Sequence, residues 1–224
     1  MYRSRRYILP LLFGLIGAAI LIGLGSWQVG RLHWKQDILA AIDAKIMAPP
    51  VALPATPGEA DRYLPVQAEG RLTGEGLRVL ASRKLIGAGY REIAVLETGG
   101  RRVLVDLGFL RRRHRAVALR RRCRSSVIGN LHWPAEVDSF TPAPDLAKGL
   151  WFARDVPAMA QALNTEPVLI IARAPVVPEA EPLPVDASAI PNDHLGYAIT
   201  WFSLAAVWLG MTVLFLWRIN RRKA

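Results

Sequence analysis

From Leu195 to Trp217 the chain carries no charged side chain, and Arg218, Arg221, Arg222 and Lys223 follow at once. About 20 apolar residues cross a bilayer core as a helix, so residues 194–217 are predicted to span a membrane. The span opens on a polar word, Pro191-Asn192-Asp193-His194. Ionisable groups at the edge of a lipid phase are costly to keep there, which makes His194 the first functional candidate.

A second apolar segment, Ile8 to Val29, lies near the start, with Arg3, Arg5 and Arg6 before it and Pro10 expected in its first turn. It is longer than the apolar core of a signal peptide, and no Ala-x-Ala site follows, so a retained anchor over residues 8–30 is expected. Basic residues flank the spans at residues 1–7 and 218–224, whereas Glu179, Glu181, Asp186 and Asp193 precede the last span. This asymmetry predicts both termini in the cytoplasm and the middle of the chain across the membrane. A first span only a few residues from the start leaves no room for a transit peptide. The expected location is therefore a bacterial inner membrane, with a periplasmic domain.

Residues 31–173 suffice for one domain with its own core. Within it, Tyr63–Leu72, Leu77–Ala81, Tyr90–Leu96, Val103–Leu110 and Ser125–Trp133 read as strands. Gly99-Gly100 marks a hairpin between the third and fourth of these. Asp155 with Pro157 predicts the start of a short helix, and Pro167–Arg173 a buried strand. The proline-rich stretch 174–193 is expected to be an extended linker. The fold class is therefore two transmembrane helices flanking a β-dominated, α+β extramembrane domain, barrel- or sandwich-like.

Cys123 is the single cysteine, which excludes an intrachain disulfide and any Cys-rich metal or redox centre. The net charge of +11 first suggests nucleic acid. Part of that excess flanks the spans, however, and no aromatic residues interleave the dense run from Arg111 to Arg124. Nucleic acid is set aside; the run reads as a solvated face or as a contact for anionic lipid or an acidic partner. No nucleophile–base set, carboxylate pair or metal cluster stands at recognisable spacing, so an enzyme is not expected.

Four stretches together resemble the Surfeit locus protein one family, assembly factors of haem-copper cytochrome c oxidase. They are Leu24-Gly25-Ser26-Trp27-Gln28-Val29-Gly30-Arg31; Gly87-Ala88-Gly89-Tyr90 with Val103–Phe109; Trp151-Phe152-Ala153-Arg154-Asp155; and Pro191–Phe202. Asp193, Gly196, Asp106-Leu107 and Phe109 depart from the family pattern. The resemblance implies a non-catalytic protein that transiently binds haem a and helps insert it into cytochrome c oxidase subunit I. His194 is then the iron ligand, and the haem A synthase is a candidate second partner beside membrane lipid.

Imidazole is a good axial ligand for haem iron. Helical spacing sets Tyr197, Ala198, Trp201, Ala205 and Trp208 on the face of His194. Ala198 and Ala205 would leave room for a flat macrocycle walled by Tyr197 and Trp201, while Trp27 and Arg31 stand at the same level on the first helix. Arg31 suits a propionate or a lipid headgroup. Tyrosine and tryptophan also serve as plain interfacial belts. The competing function is a haem-free scaffold that stabilises a subunit I intermediate.

Overall fold

The computed structural model describes residues 2–111, 123–187 and 190–221. They form α1 (Tyr2–Met47), β1 (Val51–Ala52), β2 (Pro65–Arg83), β3 (Gly87–Thr98), β4 (Arg101–Arg111) and β5 (Arg124–Leu131). After these come β6 (Leu150–Trp151), α2 (Val156–Leu163), β7 (Leu169–Ala172) and α3 (His194–Arg221). Two compact units result: one holds residues up to Ala41 and those from 190 onward, the other Ile42–Ala187.

The first unit is α1 and α3 packed antiparallel. Both helices are long and apolar enough to cross a membrane. Lipid tails are as apolar as leucine, so helix association rests on close packing, which small residues permit. A Cβ on Gly14 would lie 2.3 Å from Thr212 Cγ2, on Gly17 2.5 Å from Trp208 Nε1, and on Gly25 2.8 Å from Phe202 Cε1. The indole Nε1 of Trp208 donates to the Gly14 carbonyl at 3.0 Å, and Phe13 tilts against the same indole at 5.3 Å. Pro10 stands inside α1 instead of in a first turn, because the helix begins at Tyr2. The missing donor is tolerated there because neighbouring groups satisfy the freed backbone in membrane helices.

The second unit is a sheet that returns on itself. Its pairings run β2–β3–β4–β7–β5, and β5 pairs again with β2; β4–β7 is parallel and the other four ladders are antiparallel. The barrel- or sandwich-like domain is thus present, although not as a regular barrel. One strand replaces the two expected over Tyr63–Ala81. Residues 65–71 of β2 pair with β5 and 71–83 with β3, with an irregularity between Leu72 and Gly76. Gly74 at φ +83° and a Glu75 N–H donated to Thr73 Oγ1 at 3.1 Å form that irregularity. A bulge bends a strand without ending it, which lets β2 serve two neighbours.

The hairpin at Gly99-Gly100 forms as expected, with φ of +55° and +77° joining Thr98 to its partner Arg101. Only glycine takes two successive positive φ values at little cost. Asp155 caps α2 by accepting from the Ala158 N–H at 3.1 Å. The strand expected at Pro167–Arg173 is β7, whose four residues are all buried. β4 and β7 are buried on both faces. Val103, Val105, Leu107 and Ile170 join Val66, Leu96 and Val127 in one cluster. Leu104, Leu169 and Ile171 join Val156, Met159 and Ala160 of α2 in the other. Continuous apolar runs are what strands covered on both sides require.

Through residue 187 the proline-rich stretch is docked on the sheet domain. Val177 and Ala180 are buried in the first cluster, and Phe109 and Glu181 exchange backbone hydrogen bonds of 2.7 and 2.9 Å. Gly108 makes this possible. It has φ +108°, and a Cβ there would meet the Glu181 carbonyl oxygen at 2.1 Å. Of the arginine run, Arg111 ends β4 and Arg124 begins β5; residues 112–122 lie outside the described residues.

A buried charge cluster sits beside Gly108. Asp106 is wholly buried and accepts from Arg91 Nε at 2.7 Å, from Arg154 Nη1 at 3.4 Å and from the Gly108 N–H at 3.0 Å. Arg154 also clasps Glu136 through Nε, Nη2 and its backbone N–H. Burial opposes the charge on Glu136, yet the Arg154 contacts hold its carboxyl below the usual range. Nearby, His132 stacks on Tyr63 at 5.2 Å. Burial, reinforced by Arg154 and Arg62, pushes His132 down to about 4. Beneath the last turn of α1, fully buried Asn130 donates to the Ile46 and Tyr63 carbonyls at 3.1 and 2.8 Å.

Asn130→Ala strands two carbonyls and is expected to cost about 2–4 kcal/mol, read from denaturant melts of the full chain in detergent. His132 binds its proton more readily unfolded than folded. The stability it lends is therefore complete above pH 6.5 and lost as the pH falls towards 4. Melting temperature should drop across that window, and His132→Phe, which keeps the stack on Tyr63, should flatten the drop.

Candidate functional site

The site is built from the two helix faces of the first unit. α3 begins at His194, and the Tyr197 N–H donates to the Asp193 carbonyl at 3.2 Å, closing its first turn. On α1 the small-residue face runs Gly14, Ala18, Gly25 and, three residues on, Gln28, which is only 9 % exposed. The close packing brings Gln28 to the mouth of α3, where its Oε1 lies 2.8 Å from His194 Nδ1.

That contact sets the chemistry of the ring. With an amide oxygen as the acceptor, Nδ1 carries the proton and donates it, and Nε2 keeps its lone pair for a ligand. Metal-binding histidines are held in this way by a hydrogen bond on their second nitrogen. Among the described residues, no three histidine, cysteine or carboxylate side chains gather to hold a bare ion. A single oriented imidazole instead suits a porphyrin, which brings four nitrogen ligands of its own.

The remaining expected residues surround this pair unequally. Tyr197 and Trp27 are open, at 58 % and 57 % exposure, and Trp201 is half-buried. The Arg31 guanidinium lies over the ring of Trp34, 4.2 Å from its centroid, a cation–π contact. Ala198 and Ala205 do not leave the space expected of them, being 2 % and 3 % exposed. The open aromatic surface of the helix pair near His194 is that of Tyr197 and Trp27. In the sequence Gln28 stands out only as a member of the first stretch that carries the resemblance. Its role was legible from its position one step along the Gly14–Gly25 face.

The other stretches that carried the resemblance meet in the second unit. Asp106 and Gly108 from the second stretch and Arg154 from the third share the buried charge cluster, beside Arg91. Trp151 is packed in the cluster under α2. These residues build the domain and lie outside the helix-mouth pair.

The model of the SURF1 family matches residues 15–206, reaching from within α1 to within α3. Surfeit locus protein 1 of Rattus norvegicus is 28 % identical, over 84 % of this chain and 69 % of its own length. The Homo sapiens protein of the same name is 28 % identical over 82 % of this chain and 70 % of its own. A SURF1-like protein of Rickettsia felis is 31 % identical, covering 85 % of this chain and 89 % of that protein. The chain is thus a membrane protein that belongs to the SURF1 family, with a role in cytochrome c oxidase assembly.

Proposed function

We propose that this protein holds haem a at the outer end of its helix pair and passes it to cytochrome c oxidase subunit I. The observation that carries the reading is the His194 Nδ1–Gln28 Oε1 contact, which orients the ring and frees Nε2. Haem a, when bound, supplies an iron that takes an axial nitrogen ligand. Gln28 fixes the tautomer and aim of that nitrogen. Tyr197, Trp201 and Trp27 offer aromatic surface on the same helices, and Arg31 is a candidate for a propionate once it leaves Trp34.

One imidazole on an open flank favours capture without enclosure, and an assembly factor has to release what it binds. In this reading both basic termini lie in the cytoplasm of a bacterial cell and the sheet domain is periplasmic. The haem A synthase would load the site. The helix flank and the domain would meet subunit I, with lipid around the spans.

Protein purified from cells that make haem a should carry its visible band, and His194→Ala at equal recovery should lose it. Gln28→Leu should weaken haem binding about 10–100-fold without removing it, as loss of an orienting partner does. Gln28→Glu, which keeps an acceptor, should retain affinity. A colourless wild type that still co-purifies subunit I would replace this reading with a haem-free scaffold.

A further inference from the structure

The deeper part of the helix pair holds a cavity of about 940 Å³, flanked by Phe13, Gly17 and Ile20 of α1 and by Leu204, Trp208 and Met211 of α3. This is at the upper end of the size of small-molecule sites, roughly 300–1,000 Å³. Its polar atoms are already engaged. Trp208 Nε1 donates to the Gly14 carbonyl at 3.0 Å, and Thr212 Oγ1 donates to the Trp208 carbonyl at 2.8 Å. A wall with no donor left to offer accepts hydrocarbon, and only hydrocarbon, without loss.

The cavity continues a line that begins at the helix mouth. Tyr197, Trp201, Leu204, Trp208 and Met211 follow one another at steps of four, three, four and three, so they share one flank of α3. On α1 the steps from Phe13 through Gly17, Ile20, Leu24 and Trp27 to Arg31 alternate in the same way. The aromatic residues near His194 thus stand on the same flank of each helix as the groove that forms the cavity, nearer the helix mouth. Leu204 lies ten residues along α3 from His194, a rise of about 15 Å. A farnesyl chain hung from the edge of a macrocycle spans a distance of that order.

We infer that this groove takes the isoprenoid tail of the haem and so selects tailed haems over haem b. The inference rests on the haem reading of His194 and adds to it a subsite of different chemistry. His194 and Gln28 read the iron; the groove reads the hydrocarbon substituent that distinguishes haems o and a from haem b. Lipid already solvates such a tail, so the preference comes from packing against a fixed wall and is moderate.

The test is a Soret titration of the full-length protein in nanodiscs with haem b and with haem o, which differ by the tail. Wild type should bind haem o about tenfold more tightly. Ile20→Trp and Leu204→Trp, which fill the groove from opposite helices, should bring haem o down to the haem b level with haem b binding unchanged. Equal affinity of wild type for the two haems would overturn the inference and return the groove to membrane lipid. A haem o preference that survives both substitutions would overturn it as well. Loss of both haems in both variants would also do so, by making the groove part of the helix pairing. Failure of folded wild type to bind either haem would instead sink the His194 reading itself.

Discussion

The membrane unit depends on side chains that are absent. Gly14, Gly17 and Gly25 let α3 approach so closely that a methyl group at any of them would overlap Thr212, Trp208 or Phe202. In a lipid phase this contact is the main source of helix association, since burying apolar surface against lipid gains nothing. The same closeness has a chemical result further along. A glutamine side chain is short, and Gln28 meets His194 on the same face of α1 whose glycines admit the side chains of α3. The glycine face and the orientation of the imidazole are one constraint seen at two depths.

The sheet domain solves a different problem, that of a small core with charges inside it. Asp106 is wholly buried and would be costly alone. Two arginines and a backbone N–H surround it, and Arg154 is in turn held by Glu136 and Arg91 by the Leu183 carbonyl. Each member thus ties a separate stretch of chain to one point: β3, β4, the loop after β5, the turn into α2 and the segment after β7. Arg154 illustrates the balance. Burial alone would lower its affinity for the proton, and Glu136 and Asp106 outweigh it.

Local rules made part of this fold legible and long-range contacts hid the rest. Gly99-Gly100, the Asp155 cap and the apolar run of β7 each declare themselves within a few residues, because turn dihedrals, helix-end donors and burial on both faces are local demands. The sequence Thr73-Gly74-Glu75-Gly76 has the composition of a turn. It continues as strand because β5 and β3 take up the two halves of β2, which no window of the sequence reports. Prolines mark residues 174–187 as irregular chain, yet composition does not say what Val177 and Ala180 will bury against. At the site, His194 and its aromatic neighbours could be read from the span alone. The space beside Ala198 was misjudged because one helix's periodicity does not reveal how closely a second one packs.

The exchange of backbone hydrogen bonds between Phe109 and Glu181 bears on the order of events at the ribosome. β2, β3 and β4 are made early and form a meander by themselves, but the sheet closes only through β7 and the segment behind it. Contacts between such distant stretches form late, after the chain has paid the entropy of the intervening loop. Closure therefore waits until β7 has been synthesised, and the Phe109–Glu181 bridge until the segment behind it follows, shortly before α3 begins to emerge. Until then β4 presents an unpaired edge, and maturation of the domain and insertion of the second span become neighbouring steps in time.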